Sequence, residues 1–315
     1  MSSVKEISGL TIKEDVLSSC ADNNSIDETV ALPEGIERIG EKAMAEFICG
    51  TLVMPASLKE IDALAFENAS IKEIDFSACK LERIGEKAFG NCRAKATLPD
   101  SVTYISSEGV LGLDIGDNAE IRLPMSLGFI GDKALDLSHT VLVRADEGVI
   151  TKSTNFYSSI VTSLPSDKWV YVYATRNGRL VNKFVISAEI CNGKTLPDFI
   201  GDSGIDCEIY DKNFGLIKNQ LCKKAVAGCR VLYSKNIKNA GDRFFFSYYL
   251  KSCINGCQPE EIVKTFGFAL NEFMIPEHLE ELLEMARESE NVVLVAYILD
   301  VINRNYGAIG KPLGL

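Results

Sequence analysis

A short apolar template recurs along the first half of the chain, and this repetition constrains the fold more than any other feature. Each copy is easiest to follow through one isoleucine, which in most copies follows a Leu-Pro or Met-Pro step and precedes an Ala that is followed by a large apolar residue. The aligned isoleucines are spaced by 22, 23, 21 and 25 residues: Ile39, Ile61, Ile84, Ile105 and Ile130. A fixed template that returns at so regular a period predicts a solenoid of stacked coils.

Each copy contains a short strand and a tight turn. The strand is predicted where two apolar residues flank one outward residue: Leu52-Val53-Met54, Ile74-Asp75-Phe76, Ala96-Thr97-Leu98 and Ile121-Arg122-Leu123. This alternation is typical of a strand with one buried face, and a following Pro ends it because Pro has no N–H to donate. The Gly after the isoleucine (Gly40, Gly85 and Gly131) predicts a turn that needs a positive φ.

The ordered Leu-Pro, Ile-Gly and Ala-Phe steps resemble the bacterial BspA-like leucine-rich repeats over about residues 30–145. One copy, residues 74–92, lacks its Pro, and Gly109-Val110 replaces Ala-Phe in the next, before a longer loop that predicts a bulge. Residues 7–30 are predicted to form a capping hairpin over the first copy. The resemblance implies an interaction surface rather than catalysis.

The pattern changes after the repeats. Two β-favouring runs, from Trp169 to Tyr173 and from Leu180 to Ile186, flank Asn177-Gly178, which is the strongest short signal for a β-hairpin. From about residue 211 the apolar period becomes 3.6 and predicts helices. These helices are predicted to begin near residues 213, 242, 259, 276 and 291. The last pair, residues 276–305, is loosely similar to ankyrin-like helix pairs, although the ankyrin signature residues are missing.

We therefore predict an α+β chain that combines a leucine-rich repeat solenoid, with a short parallel β ladder, a capping β-hairpin and an array of α-helical hairpins. The predicted domains are residues 1–148, 149–210 and 211–315. Residues 1–150 contain 26 acidic and 14 basic side chains, whereas residues 151–258 contain 8 and 15. Such asymmetry favours separate units with their own surface character.

One face of the first hairpin strand is aromatic. The period of two in a strand places Trp169, Tyr171 and Tyr173 on this face, and we expect it to close the last repeat because the end of a solenoid needs a cap. The alternative is an aromatic binding face bordered by three basic side chains: Arg176, Arg179 and Lys183.

Composition argues against several classes of function. There are only two histidines and the ten cysteines contain no Cys-x-x-Cys pair, so we expect no metal and no cofactor, and we interpret the thiols as small buried groups. The net charge of −11 argues against a nucleic-acid partner. No signal peptide and no apolar run of about 20 residues, the length that spans a bilayer, is evident. A cytoplasmic location is expected, with the cell surface as the alternative if a leader was removed.

One motif resembles a catalytic sequence. Gly201-Asp202-Ser203-Gly204 is similar to the first block of the SGNH hydrolases, in which the Ser is the nucleophile. A nucleophilic Ser needs a positioned base, which this family supplies from an Asp-x-x-His segment. Pro276-Glu277 precedes His278 here and that Asp is absent, so we interpret the motif as a polar loop and keep a Ser203 hydrolase only as an alternative.

The predicted function is non-enzymatic binding of a protein partner through the outward strand residues, which line one surface in a stacked solenoid. Mixed charge and few aromatic residues favour a polar partner over a deep small-molecule pocket. A cell-surface adhesin that has lost its leader is the alternative. The predicted surface has two rows, one of Val53, Asp75, Thr97 and Arg122, and one of Thr51, Glu73, Lys95 and Glu120.

Overall fold

The chain divides into two compact units, Met1–Gly204 and Ile205–Leu315. The computed structural model describes residues 5–7, 9–21, 24–117, 119–152, 155–191, 200–201, 204–205, 207–232, 241–242, 244–245, 248–249, 280, 283–284, 286–288, 290 and 292–306. The three-domain division drawn from the sequence stays a prediction.

A solenoid with two sheets forms most of the first unit. Sheet A is parallel throughout and has six strands, in spatial order β1 (Lys5–Glu6), β4 (Asn24–Ala31), β6 (Ile48–Val53), β8 (Ser70–Asp75), β10 (Ala94–Ala96) and β12 (Leu113–Asp114). Sheet B has seven, in the order β15 (Phe129–Ile130), β11 (Tyr104–Ile105), β9 (Arg83–Ile84), β7 (Glu60–Ile61), β5 (Arg38–Ile39), β3 (Val16–Cys20) and β2 (Leu10–Lys13). Each complete coil contributes one strand to each sheet, so the predicted solenoid fold is confirmed.

The aligned isoleucines form a continuous ladder inside sheet B. Each one pairs in register with the isoleucine of the next coil, and all five are buried. The Ala-Phe pairs are buried in the turns between the sheets, where the Phe66 and Phe89 rings stack 5.0 Å apart. Because no single coil covers its own apolar face, this stacking is what removes the core from water.

The glycines that follow the isoleucines have a different role from the one predicted. The left-handed conformation occurs three residues after each isoleucine, at non-glycine residues such as Leu64 (φ 58°), and none of the three glycines has a positive φ. A Cβ on Gly85 would lie 2.5 Å from the backbone nitrogen of Ala63, and one on Gly131 would lie 2.3 Å from that of Ser107. The prediction of a positive φ was therefore wrong, since these glycines are needed where neighbouring coils approach closely.

The solenoid begins one coil earlier than the sequence predicts. Strands β2 and β3 form the antiparallel hairpin expected near the N-terminus. Strand β3 also pairs in parallel with β5, which places the buried Leu17 opposite Ile39. Leu17 is therefore the counterpart of the aligned isoleucines in a first coil that also acts as the cap.

A third sheet, sheet C, continues the first unit beyond sheet A. Its order is β13 (Gly116–Asp117), β14 (Glu120–Arg122), β16 (Leu142–Asp146), β17 (Trp169–Arg176) and β18 (Arg179–Ser187). The predicted hairpin is confirmed as β17 and β18, and both residues of its turn have a positive φ, 52° at Asn177 and 74° at Gly178, as in a type I′ turn. Three helices follow or interrupt these strands, α1 (Glu147–Lys152), α2 (Phe156–Ser163) and α3 (Ala188–Cys191), before a small pair of strands, β19 (Ile200–Gly201) and β20 (Gly204–Ile205).

The second unit is helical where it is described. It contains α4 (Glu208–Asn213), a 3₁₀ helix (Phe214–Leu216), α5 (Gln220–Leu232) and α6 (Val292–Tyr306). Helices α5 and α6 correspond to the predictions near 213 and 291. Parts of two further predicted helices are described, and the described residues in them are helical: 242, 244–245 and 248–249 in the helix predicted from 242, and 280, 283–284 and 286–288 in the helix predicted from 276. The helix predicted from 259 lies outside the described residues. The buried Arg230 of α5 pairs with Asp211 at 2.8 Å and with Asp242 at 2.7 Å, so one guanidinium links α5 to two other segments.

Candidate binding surface

The outward side chains of sheet A form rows that cross the coils. Strand pairing places Thr51 opposite Glu73 and Glu73 opposite Lys95, while Val53 lies opposite Asp75. Glu73 and Lys95 are exposed, whereas the alternate residues Leu52, Ile74 and Ala96 are buried. The predicted alternation is therefore present, and a row of side chains at the spacing of adjacent strands, about 4.8 Å, reaches solvent.

The predicted rows do not continue onto the last predicted strand. Lys95 lies opposite Asp114 of β12, where sheet A ends, and not opposite Glu120. Glu120 and Arg122 belong to β14 in sheet C, where Arg122 lies opposite Arg144. Thr97 is exposed just beyond the end of β10. The structure thus places five of the eight predicted residues on strands of sheet A, one just beyond a strand end and two on another sheet.

Asp114 is a member of the row that the sequence reasoning missed. The loop after β12 turns the chain into β13, which pairs with β14 in the antiparallel sense. The extra residues between β12 and β14 shift the pairing register of this copy. The repeat template therefore aligns Glu120 with Lys95, although the strand that pairs with β10 ends at Asp114. The available signal was the extra length and the glycines of this copy, Gly112 and Gly116, from which a bulge was predicted.

The charges of the sheet A row have few partners within the chain. In the described residues neither Glu73 nor Lys95 forms an ion pair. Asp75 is held locally, because hydrogen bonds from the Ser77 hydroxyl and from the Ser77 N–H (2.8 Å) lower the pKa of its carboxyl group. The outward charges at Glu73 and Lys95 are thus available to a second molecule.

Sheet B presents a different surface, which the sequence reasoning also missed. Its outward row consists of the residues just before the aligned isoleucines: Arg38, Glu60, Arg83, Tyr104 and Phe129. These side chains interact with their neighbours in the row. The Arg83 guanidinium lies 4.3 Å from the Tyr104 ring centre, and the Tyr104 and Phe129 rings stack at 4.7 Å.

Ion pairs satisfy most of the charge on sheet B. Arg38 donates from Nε to the Asp62 carboxylate at 2.9 Å and lies 3.9 Å from Glu60, and Arg83 lies 4.0 Å from the other oxygen of Glu60. The hydrogen bond from Arg38 to Asp62 raises the pKa of Arg38. Sheet B thus neutralises its own charges, whereas Glu73 and Lys95 of sheet A form no ion pair in the described residues.

The aromatic face of the hairpin does not close the last repeat. Val170, Val172 and Ala174 of β17 are the buried residues, and Trp169, Tyr171 and Tyr173 lie half-buried on the opposite face. The expectation was wrong about the face because the strand is covered on its aliphatic side. Of the three basic residues named as its border, Lys183 lies 4.4 Å from the Tyr171 ring centre, Arg176 pairs with Glu147 at 2.7 Å and Arg179 is exposed.

The described cysteines of the solenoid core are protonated thiols. Burial raises the pKa of Cys49 to about 12 and that of Cys92 to about 11. In the described part of the chain, no cluster of three or more His, Cys, Asp or Glu side chains is placed to hold a metal ion. Among the described helices, none combines the length and apolar character needed to cross a membrane. Ser203 and His278 lie outside the described residues.

Comparison with known proteins agrees with the geometry of the coils. Residues 10–141 match the family model of the BspA type leucine-rich repeat region in six copies, one more than the five aligned isoleucines. This match begins at the coil that contains Leu17. It ends before the helical unit, so the similarity of residues 276–305 to ankyrin-like pairs stays a prediction.

Among solved structures, a leucine-rich repeat protein from Bacteroides ovatus is similar to this chain at 17% identity, with a TM-score of 0.29. The similarity covers 54% of this chain and 63% of that one, and at this level it carries no argument about function. No curated protein matches the chain. The first unit therefore contains a leucine-rich repeat solenoid, and its coils are similar to the BspA type of repeat over residues 10–141.

Proposed function

We propose that this chain is a non-enzymatic protein-interaction module that binds a partner protein through the outward face of sheet A. The observation that carries the proposal is the row Thr51, Glu73, Lys95 and Asp114, in which Glu73 and Lys95 are exposed and form no ion pair in the described chain. Leucine-rich repeats of this family are suited to protein partners, which supports the same class of function.

The stacked backbone makes this row a favourable binding surface. Each member belongs to a strand that pairs with its neighbours, so the order of charges along the row is fixed before a partner arrives. Preorganisation of this kind lowers the conformational entropy that is lost on binding. The mixed signs favour a partner whose polar surface alternates in the opposite sense, since complementary charges set specificity and association rate.

The ion pairs of sheet B support the choice of sheet A as the binding surface. A partner that approached sheet B with its own charges would compete with Asp62 for Arg38 and with Arg83 for Glu60. A partner on sheet A gains ion pairs with Glu73 and Lys95 without breaking any that these two side chains make in the described part of the chain. The two sheets therefore differ in what a charged partner gains.

Affinity capture from native lysate with two charge-swapped variants tests the proposal. The first variant is Glu73→Lys with Lys95→Glu on sheet A, and its matched control is Glu60→Lys with Arg83→Glu on sheet B, which makes the same two changes of sign. We expect the sheet A variant to lose the partner that wild type captures, as identified by mass spectrometry, and the control to keep it. Thermal unfolding of each variant verifies that both are folded, and equal capture by the sheet A variant would contradict the proposal.

We also propose the cytoplasm as the location, as expected from the sequence. Fractionation of cells that express the native protein at its natural level tests this proposal. Recovery with the cell surface would favour the adhesin alternative, and the sheet A variants would then be tested against extracellular ligands.

A further inference from the structure

A cleft of about 1000 Å³ opens where sheet A ends, and it shares only Asp114 with the proposed partner surface. Its lining comes from several successive coils and includes Leu111, Asp114, Ile115, Ile121, Asp136 and His139. The lining combines apolar side chains with a comparable share of polar and charged ones, and a concave site of this size that brings both together can hold a ligand. The structure of the fifth coil explains why the cleft forms.

The cleft exists because β12, the strand of the fifth coil in sheet A, does not pair with a strand of the next coil. Strand β12 pairs with β10 on one side only and is the last strand of sheet A. Strand β14, which follows the inserted loop, pairs with β16 instead. In the described residues 136–141 of the next coil there is no strand, so the second edge of β12 has no strand beside it.

The fifth coil is nevertheless held firmly against the fourth. A Cβ on Gly112 would lie only 1.7 Å from the carbonyl oxygen of Phe89, so the backbone of the coil passes directly against its neighbour. Leu113 and Ile121, on either side of the inserted loop, are buried. The edge of β12 is therefore presented by a packed part of the core.

We propose that this cleft binds an extended peptide, which adds to the open edge of β12 as a further strand and places a basic side chain beside Asp114. An unpaired strand edge presents N–H and C=O groups that a peptide backbone can satisfy. The added strand would occupy the place that a regular sixth coil would fill in sheet A. The cleft is a second site, so it goes beyond the binding surface proposed on sheet A.

The side chains of the cleft define the chemistry of this peptide. Leu111 is 38% exposed and lines the cleft together with Ile115, so alternate side chains of the peptide that face inward are apolar. The outward row of sheet A alternates Glu73, Lys95 and Asp114, and a cation is the side chain that continues this alternation beyond Asp114. The charged side chains that line the cleft are four carboxylates (Glu67, Glu108, Asp114 and Asp136) and two cations (Lys87 and Arg93), and this acidic excess also favours a basic peptide.

Fluorescence anisotropy with two labelled synthetic peptides tests the proposal on the full chain. Both peptides alternate threonine and valine, and they differ only in a central lysine or glutamate at an outward position. We expect saturable binding of the lysine peptide to wild type and weaker binding of the glutamate peptide, by about fivefold for one cross-strand pair. Asp114→Asn is expected to remove most of that difference.

A pair of matched variants distinguishes the cleft from other surfaces. Leu111→Arg fills the cleft from an exposed position and is expected to weaken the lysine peptide by about tenfold or more, as for a central contact. Met125→Arg, at a 52% exposed apolar residue outside the cleft lining, is the control and is expected to bind as wild type does. Absence of saturable binding to wild type would overturn the proposal, and so would equal binding by Leu111→Arg. Because neither variant changes Glu73 or Lys95, these outcomes are independent of the capture experiment on sheet A.

Discussion

Sheets A and B are formed by the same coils and share the same period, yet their outward rows differ in chemistry. On sheet B, Arg38, Glu60 and Arg83 lie next to one another and neutralise each other's charge. On sheet A, Glu73 and Lys95 are adjacent and exposed without an ion pair in the described chain. A solenoid can thus use one face to stabilise its own stack and leave the other to a partner, because each face takes a separate position of the repeat.

The largest expected effect removes the core that both sheets share. Phe89 is buried, stacks on Phe66 at 5.0 Å and meets the Phe76 ring edge-on at 6.4 Å. Phe89→Ala is expected to lower the free energy of unfolding by about 3–5 kcal/mol, because it creates a cavity that neighbouring coils cannot fill. Denaturant unfolding measures this loss, with Met125→Ala, at an exposed apolar side chain, as the control that should change little. A loss below about 1 kcal/mol would show that the two sheets do not depend on a common core.

A smaller loss of stability is expected where neighbouring coils approach each other just after the strands of sheet B. Gly131→Ala places a Cβ within 2.3 Å of the Ser107 nitrogen, so the coils must separate locally, and we expect a loss of about 1–3 kcal/mol. Gly128→Ala, at the other flank of β15, is the matched control, because its Cβ would meet only the Thr103 oxygen at an ordinary 3.5 Å. Thermal unfolding of the two variants compares them directly, and equal melting temperatures would contradict the role assigned to Gly131.

The comparison of the two faces is sharpened by removing one charge from each. Arg38→Met deletes the hydrogen bonds to Asp62 and is expected to destabilise the chain by about 0.5–1 kcal/mol, an effect that added salt reduces. Lys95→Met removes a cation that has no ion pair in the described structure and is expected to change stability by less. Denaturant unfolding at low and high salt measures both variants. A larger loss for Lys95→Met would reverse the assignment of the two faces.

The sequence predicted the parts of the fold in which the same template position is buried in every coil. Isoleucines such as Ile61 and Ile84 must be buried in register, so their spacing alone indicated the stack. Leu17 escaped notice because it is the one member of that ladder that is not isoleucine. The sheet B row and the end of sheet A at Asp114 depend on which strands become neighbours, and an insertion in one coil changes that pairing without changing the template.

The smallest expected effect concerns the end of a sheet A strand. Hydrogen bonds from Ser77 lower the pKa of Asp75, so the folded chain binds this proton less tightly than the unfolded chain does. The carboxylate therefore stabilises the fold above the unfolded pKa of about 3.9, and this contribution is lost as the pH falls through the lower folded pKa. The side chain is partly exposed, so the contribution at neutral pH is expected to be a few tenths of a kcal/mol.

Asp75→Asn tests this contribution because it keeps the shape of the side chain and removes the charge. We expect the variant to be slightly less stable than wild type at pH 7 and to match it near pH 2, where wild type has lost the same contribution. Denaturant unfolding as a function of pH measures the difference between the two chains, and Glu73→Gln, at an outward carboxylate that caps no turn, is the control. A difference that stays constant from pH 7 to pH 2 would contradict the hydrogen-bond origin of the lowered pKa. The expected result is that the stability difference between Asp75→Asn and wild type disappears as the pH falls, and that Glu73→Gln has the stability of wild type. This result would distinguish a charge that stabilises the fold from one that is available to a partner.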